Sequence, residues 1–130
     1  MTQFEAAGLY VGLMVLVFLG LKINVGRVRA GAKVSVGDGG NEGLIRAMRV
    51  QANAVEDAPV ALLGLLALAG LGAPVWLIHA LGATLVVSRL LHAFGLGSSG
   101  QRNLGRSLGT LGSALVLLVT AGACVWLALA

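Results

Sequence analysis

Four long apolar stretches, parted by short polar or glycine-rich breaks, set the pattern of this chain. A helix needs about 20 mostly apolar residues to cross the hydrocarbon core of a bilayer. Four segments reach that length, roughly Phe4 to Asn24, Leu44 to Leu71, Val75 to Leu96 and Leu104 to Leu129. The pattern predicts an all-α, integral membrane four-helix bundle forming a single domain over residues 1–130. The break "LGAP" at Pro74 leaves room only for a tight hairpin, which makes the second and third spans antiparallel neighbours. "GDGGNEG", residues 37–43, reads as a turn with Asn41 as a possible cap for the second helix. It follows no strand and lacks a lysine-serine pair, which argues against a phosphate loop.

The second stretch breaks the apolar pattern. Its first half, "RAMRVQANAVEDAP" (46–59), is polar, so it is expected to project beyond the bilayer on one side. At about 100° per residue Glu42, Arg46, Arg49, Asn53, Glu56 and Asp57 share one sector, while Leu44, Met48, Ala52 and Val55 lie opposite. Gln51 points well away from that stripe and so faces a different neighbour, either another helix or another subunit. Ionisable side chains at membrane depth are costly and normally face a bundle interior or a wet cavity, so the stripe is a candidate site. The plainer alternative is that Arg46, Arg49, Glu56 and Asp57 only pair within and between helices to hold the bundle together. Salt bridges buried purely for stability compare poorly with apolar packing, which weighs against that alternative. A second polar set, Arg89, His92 and Leu96 at i, i+3 and i+7 with Arg102 and Arg106 beyond them, lies where it can converge with the first. His79, alone at the far end of the third span, reads as an interfacial or satisfied histidine. Gly8 and Gly12 in the first span, and Gly105, Gly109, Gly112 and Ser113 in the fourth, have the spacing of close helix-packing contacts.

Composition agrees with the spans. The chain is 58% hydrophobic and 11% charged, with a mean hydropathy of +0.94, which excludes a soluble domain of this size. A net charge of +4 and an isoelectric point near 10.3 could suggest nucleic acid, but there is no soluble basic domain and no stacked set of aromatics for bases. Nucleic acid is therefore not expected as a partner. Topology explains the charge better: Lys22, Arg27, Arg29 and Lys33 follow the first span, Arg102 and Arg106 the third, and the second connection is uncharged. The positive-inside rule puts both basic connections in the cytoplasm and both termini on the non-cytoplasmic side. The amino-terminal run lacks a basic leader region and reads as a retained anchor. Cys124, alone in an apolar run, is expected to pack, and no metal-ligand cluster or supported Ser-His-Asp arrangement is apparent.

Arg46, Arg49, Gln51, Asn53, Glu56 and Pro59 together form Arg-x-x-Arg-x-Gln-x-Asn-x-x-Glu-x-x-Pro. This resembles the signature of the membrane-associated proteins in eicosanoid and glutathione metabolism, the MAPEG family, which includes microsomal glutathione transferases. The likeness extends to the four-span layout, the tight hairpin and "SRLLHAFGL" (88–96). It implies a bacterial inner-membrane homotrimer, with glutathione as co-substrate between subunits near the cytoplasmic face and a lipophilic small-molecule substrate entering from the membrane lipid. Glutathione carries two carboxylates, an ammonium and amides, which suits guanidinium forks, a carboxylate and amide side chains. By motif position Arg46 and Arg49 look like carboxylate contacts, Glu56 the ammonium contact, and Gln51 and Asn53 the amide contacts. Arg27 or Arg29 looks like a further contact, and His92 stands where relatives have Tyr or His. A thiol with a pKa of about 8.5 needs a nearby cation to become a thiolate. In the family an arginine just after the third span is thought to serve. Here Arg102 and Arg106 are available, while a gapless alignment places Asn103 there. Leu96 stands where relatives commonly carry a ligand-binding tyrosine, and Asp57 where an aromatic residue is common.

The resemblance supports first a glutathione transferase or peroxidase acting on lipophilic electrophiles or hydroperoxides. A second reading is a non-catalytic or glutathione-independent lipid-binding protein of the same fold. A transporter or channel would need polar residues throughout the membrane depth, and the fourth span and the later half of the second are dry.

Overall fold

The structure, a computed structural model, describes residues 1–98, 101 and 103–130. Helices α1 (Gln3–Ala32), α2 (Glu42–Gly70), α3 (Val75–Ser98) and α4 (Leu104–Leu129) follow one another. Each is long and apolar enough to cross a membrane. Helix α1 packs on α2 and α3, α4 packs on the same two, and α2 and α3 touch across the middle. The α1–α2 and α3–α4 connections therefore lie at one end of the bundle, the end towards which Arg27, Arg29, Lys33, Arg46, Arg49 and Arg106 are placed.

Local chemistry sets the helix ends. A capping box opens α1: the Glu5 amide donates to Thr2 Oγ1 at 3.2 Å and the Thr2 amide to Glu5 Oε2 at 2.7 Å. Helix α1 continues two turns past its apolar run, to a left-handed Lys33 with φ 55°. Arg27 and Arg29 consequently ride on the helix rather than in a loop. No proline or capping side chain interrupts "VGRVRAGA", and arginine and alanine favour helix, so the charge pattern marks the bilayer boundary and not the end of the helix. Asn41 caps α2 by accepting the Leu44 amide at 2.9 Å, so that helix starts at Glu42. At the hairpin Gly72 adopts φ 75°, while the Ala73 amide reaches Leu68 O at 2.9 Å and the Gly72 amide Ala69 O at 3.3 Å. This is a Schellman stop, which needs the left-handed residue that glycine supplies without a Cβ clash.

One apolar core runs through the bundle from Ala6, Tyr10 and Met14 to Leu65, Ile78, Leu85 and Val116. Leu16, Leu63, Leu118 and Trp126 remain exposed around it. Apolar surface costs about 25 cal/mol per Å² in water but little in hydrocarbon, so this exterior matches a lipid surround. Tyr10 ties α1 to α3 through a 2.9 Å hydrogen bond between its hydroxyl and His79 Nδ1, so His79 is a satisfied histidine. Helix α4 approaches α3 through Gly109, where a Cβ would meet Ser88 O at 2.5 Å and the His92 amide at 2.6 Å. Gly8 and Gly12 do not share that role; both are exposed, and an added Cβ at either would meet nothing within 4 Å.

Candidate functional site

The polar stripe of α2 lies at the border of that helix's buried face. Leu44, Ala47, Val50, Ala54 and Ala58 are buried, while Arg49 and Glu56 are exposed and Arg46, Asn53 and Asp57 lie between. The stripe thus faces the seam that α2 makes with α3 and α4, at the basic end.

Arg89 is the interior anchor of that seam. Its side chain is 1% exposed, and its guanidinium donates to Asn53 Oδ1 at 3.0 Å, Asn53 O at 3.4 Å, Asp57 Oδ2 at 3.4 Å and Gly109 O at 2.9 Å. One planar fork on α3 therefore holds α2 and α4. A cation with no water around it must be matched by acceptors, and here a carboxylate and three neutral oxygens supply them. Asp57 accordingly serves as the counterion of Arg89. Asn53 presents its oxygen to the same cation, and its amide NH₂, without a partner among the described residues, is left to the cavity beside it.

Two adjoining cavities open along the seam. One, of about 510 Å³, is lined by Asn53, His92, Arg106, Ser107, Thr110 and Leu111. The other, of about 290 Å³, is lined by Arg46, Arg49, Asn53, His92, Leu96 and Arg106, with Ile45 at its edge. Asn53, His92 and Arg106 are common to both. The fold therefore brings together five of the residues expected from sequence: Arg46, Arg49, Asn53, His92 and Arg106. Three guanidinium-bearing side chains around one concavity make a positive potential suited to an anionic ligand. Arg46 has a loose 3.9 Å contact with Glu42. Among the described residues neither Arg49 nor Glu56 has a hydrogen-bond or ion-pair partner. The His92 side chain is 4% exposed, and no hydrogen bond to either ring nitrogen occurs among the described residues.

The other expected residues lie elsewhere in the single chain. Gln51 is half-buried and lines neither cavity, Glu56 stands exposed on the stripe beside them, and Arg102 lies outside the described residues. Arg29 folds over the α1–α2 connection, donating to Gly37 O at 2.7 Å and Val34 O at 3.4 Å. Arg27 donates to Asn24 Oδ1 at 3.1 Å on the α1 side of the bundle. Asn103 caps α4, accepting the Arg106 amide at 3.0 Å and donating to Gly95 O at 2.6 Å. Ser107 and Thr110 also line the larger cavity and were not expected. Thr110 stands four residues after Arg106 and three after Ser107, so it shares a side of α4 with each, and that spacing was the available signal.

Comparison with known proteins follows the same lines. The family model described as MAPEG family matches residues 7–126. The chain is 36% identical over 89 residues to "Inner membrane protein YecN" of Escherichia coli strain K12, covering 68% of each chain. The same protein of Escherichia coli O6:H1 matches with the same identity and coverage. No solved structure gives a significant match.

Proposed function

This chain belongs to the MAPEG family, and from that premise we propose that it is a glutathione transferase- or peroxidase-like enzyme of the inner membrane, acting on lipophilic electrophiles or hydroperoxides. The convergence of Arg46, Arg49, Asn53, His92 and Arg106 on one polar concavity, in a bundle otherwise coated for lipid, carries the reading. A tripeptide with two carboxylates needs several charge-assisted donors in a fixed arrangement.

In this reading the basic end faces the cytoplasm and the termini the other side. Arg46 and Arg49 hold glutathione carboxylates, and Glu56 holds the ammonium from the exposed edge. The Asn53 NH₂ group, set by Arg89, meets an amide carbonyl. Arg106 lies next to His92, where its charge favours the thiolate over the thiol; Arg102 is the alternative. The thiolate sulfur then attacks an electrophilic carbon to form a thioether and expel the leaving group. With a hydroperoxide it attacks the terminal peroxide oxygen, breaking the O–O bond to release the alcohol and leave a sulfenic acid, which a second glutathione converts to the disulfide with loss of water.

Gln51 and Arg29 lie away from their own chain's concavity, which supports a homotrimer in which they complete a neighbour's pocket. Chlorodinitrobenzene conjugation and cumene hydroperoxide reduction by the purified protein test the reaction. Either activity, lowered in Arg106→Gln, supports it; neither activity at saturating glutathione overturns it.

One feature favours a second reading, a lipid-binding protein without catalysis. Leu96, 8% exposed, lines the smaller cavity with an apolar side chain where relatives commonly carry a ligand-binding tyrosine. Saturable lipid binding without glutathione binding would select it.

A further inference from the structure

A further cavity lies on the α1 side of α2 and α3 and shares only Arg46 with the lining of the thiol pocket. It occupies about 660 Å³ between α1 and α3, with α2 as its floor, which is within the size range of small-molecule sites. Its wall on α1 runs from Val17 through Leu21 and Asn24 to Val28, about 16 Å along the helix at 1.5 Å per residue. The end towards the bundle centre is apolar, with Val17, Val50 and Leu90, and the rim carries Phe94, 75% exposed. At the basic end the lining turns polar with Asn24, Arg46 and Ser98.

The polar end is cationic and its donors are not fully used. Among the described residues Arg46 meets only Glu42, at 3.9 Å, and that side chain is 89% exposed, so water screens the pair. Arg27, just outside the lining, donates to Asn24 Oδ1, which leaves the Asn24 NH₂ without a partner among the described residues and brings a second guanidinium to the mouth. The groove is thus apolar towards the middle of the membrane and doubly cationic at the basic interface. That is the polarity of a lipid in the basic-side leaflet, and basic pockets between spanning helices on that side suit anionic headgroups.

We propose that this groove is a binding site for an anionic phospholipid, with one acyl chain between α1 and α3 and the headgroup phosphate at Arg46 and Arg27. The site does not rest on glutathione use. It gives Arg46, which lines both cavities, a position between a bound lipid and the thiol pocket.

The test is native mass spectrometry of the full chain released from nanodiscs containing equal phosphatidylglycerol and phosphatidylcholine. Retention of about one phosphatidylglycerol per chain, several-fold over phosphatidylcholine, is expected. Arg46→Gln and Arg27→Gln should each cut that preference by about fivefold. Gly20→Leu should remove retention of both lipids by filling the groove. Gly20 lines it, and a Cβ there meets nothing within 4 Å, so the substitution leaves the core packing intact. Gly97→Leu fills the groove from α3 with the same freedom and serves if Gly20→Leu fails to assemble. Equal retention of the two lipids, phosphatidylglycerol retention unchanged by both filling variants, or retention of added oleate in place of phospholipid would each overturn the proposal.

Discussion

Breaking the Arg89 clamp from both sides should destabilise the bundle by less than the two single breaks summed. Arg89 is 1% exposed, and the Asp57 side chain 37% exposed. Asp57→Leu leaves a buried cation with only neutral acceptors; removing one partner of a buried pair typically costs about 3–5 kcal/mol. The 3.4 Å contact and the partial solvation of Asp57 bring the cost below that range, to about 2–3 kcal/mol. Arg89→Met strands Gly109 O and Asn53 Oδ1 as well as Asp57, at about 1–3 kcal/mol for each acceptor left buried and unmade. In the double variant Arg89→Met/Asp57→Leu no charge remains, and the loss should fall short of the summed single losses by about 1–3 kcal/mol. Unfolding in mixed dodecyl maltoside and dodecyl sulfate micelles, followed by helicity, measures all four corners of this cycle. Additivity within about 0.5 kcal/mol would refute the clamp.

Arg49→Ala and Glu56→Ala should each weaken glutathione binding, by about tenfold or more for the arginine, yet shift stability by no more than about 0.5 kcal/mol because neither side chain has an internal partner; the same micelle titration with calorimetry checks both. Gly109→Ala should cost about 1–3 kcal/mol by forcing α4 off Ser88 and His92, while Gly8→Ala and Gly12→Ala should be neutral or stabilising by up to about 1 kcal/mol. Tyr10→Phe should lose about 0.5–1.5 kcal/mol with the His79 hydrogen bond and leave thiol chemistry unchanged.

Much of this architecture was legible in the sequence because it rests on short-range rules. The Asn41 cap, the Gly72 stop before Pro74 and the four apolar runs each depend on a few consecutive residues. The α2 stripe was legible too, since helical periodicity alone puts Arg46, Arg49 and Asn53 on one side. Two features were not legible. The length of α1 was hidden because the loss of apolarity after Asn24 reports where lipid ends, and a helix continues into water without a break. The partner of Arg89 was hidden because an arginine in "VVSRLL" must be paired, but its choice of Asp57, Asn53 and Gly109 O depends on how α2 and α4 rotate about α3, and no single-helix pattern contains that angle. For the same reason Asp57 read as a member of the ligand stripe, whereas packing turns it towards the interior cation.

The central claim is that the polar concavity between α2, α3 and α4 takes glutathione and activates its thiol. The measurement that tests it most directly is calorimetric titration of the detergent-purified protein with glutathione, with ultraviolet thiolate absorbance read on the same samples, in parallel with Arg49→Ala and Arg106→Gln. Saturable binding is predicted with thiolate formation, weakened in affinity by Arg49→Ala and diminished in thiolate signal by Arg106→Gln. No binding at millimolar glutathione, or binding that neither variant alters, would contradict it.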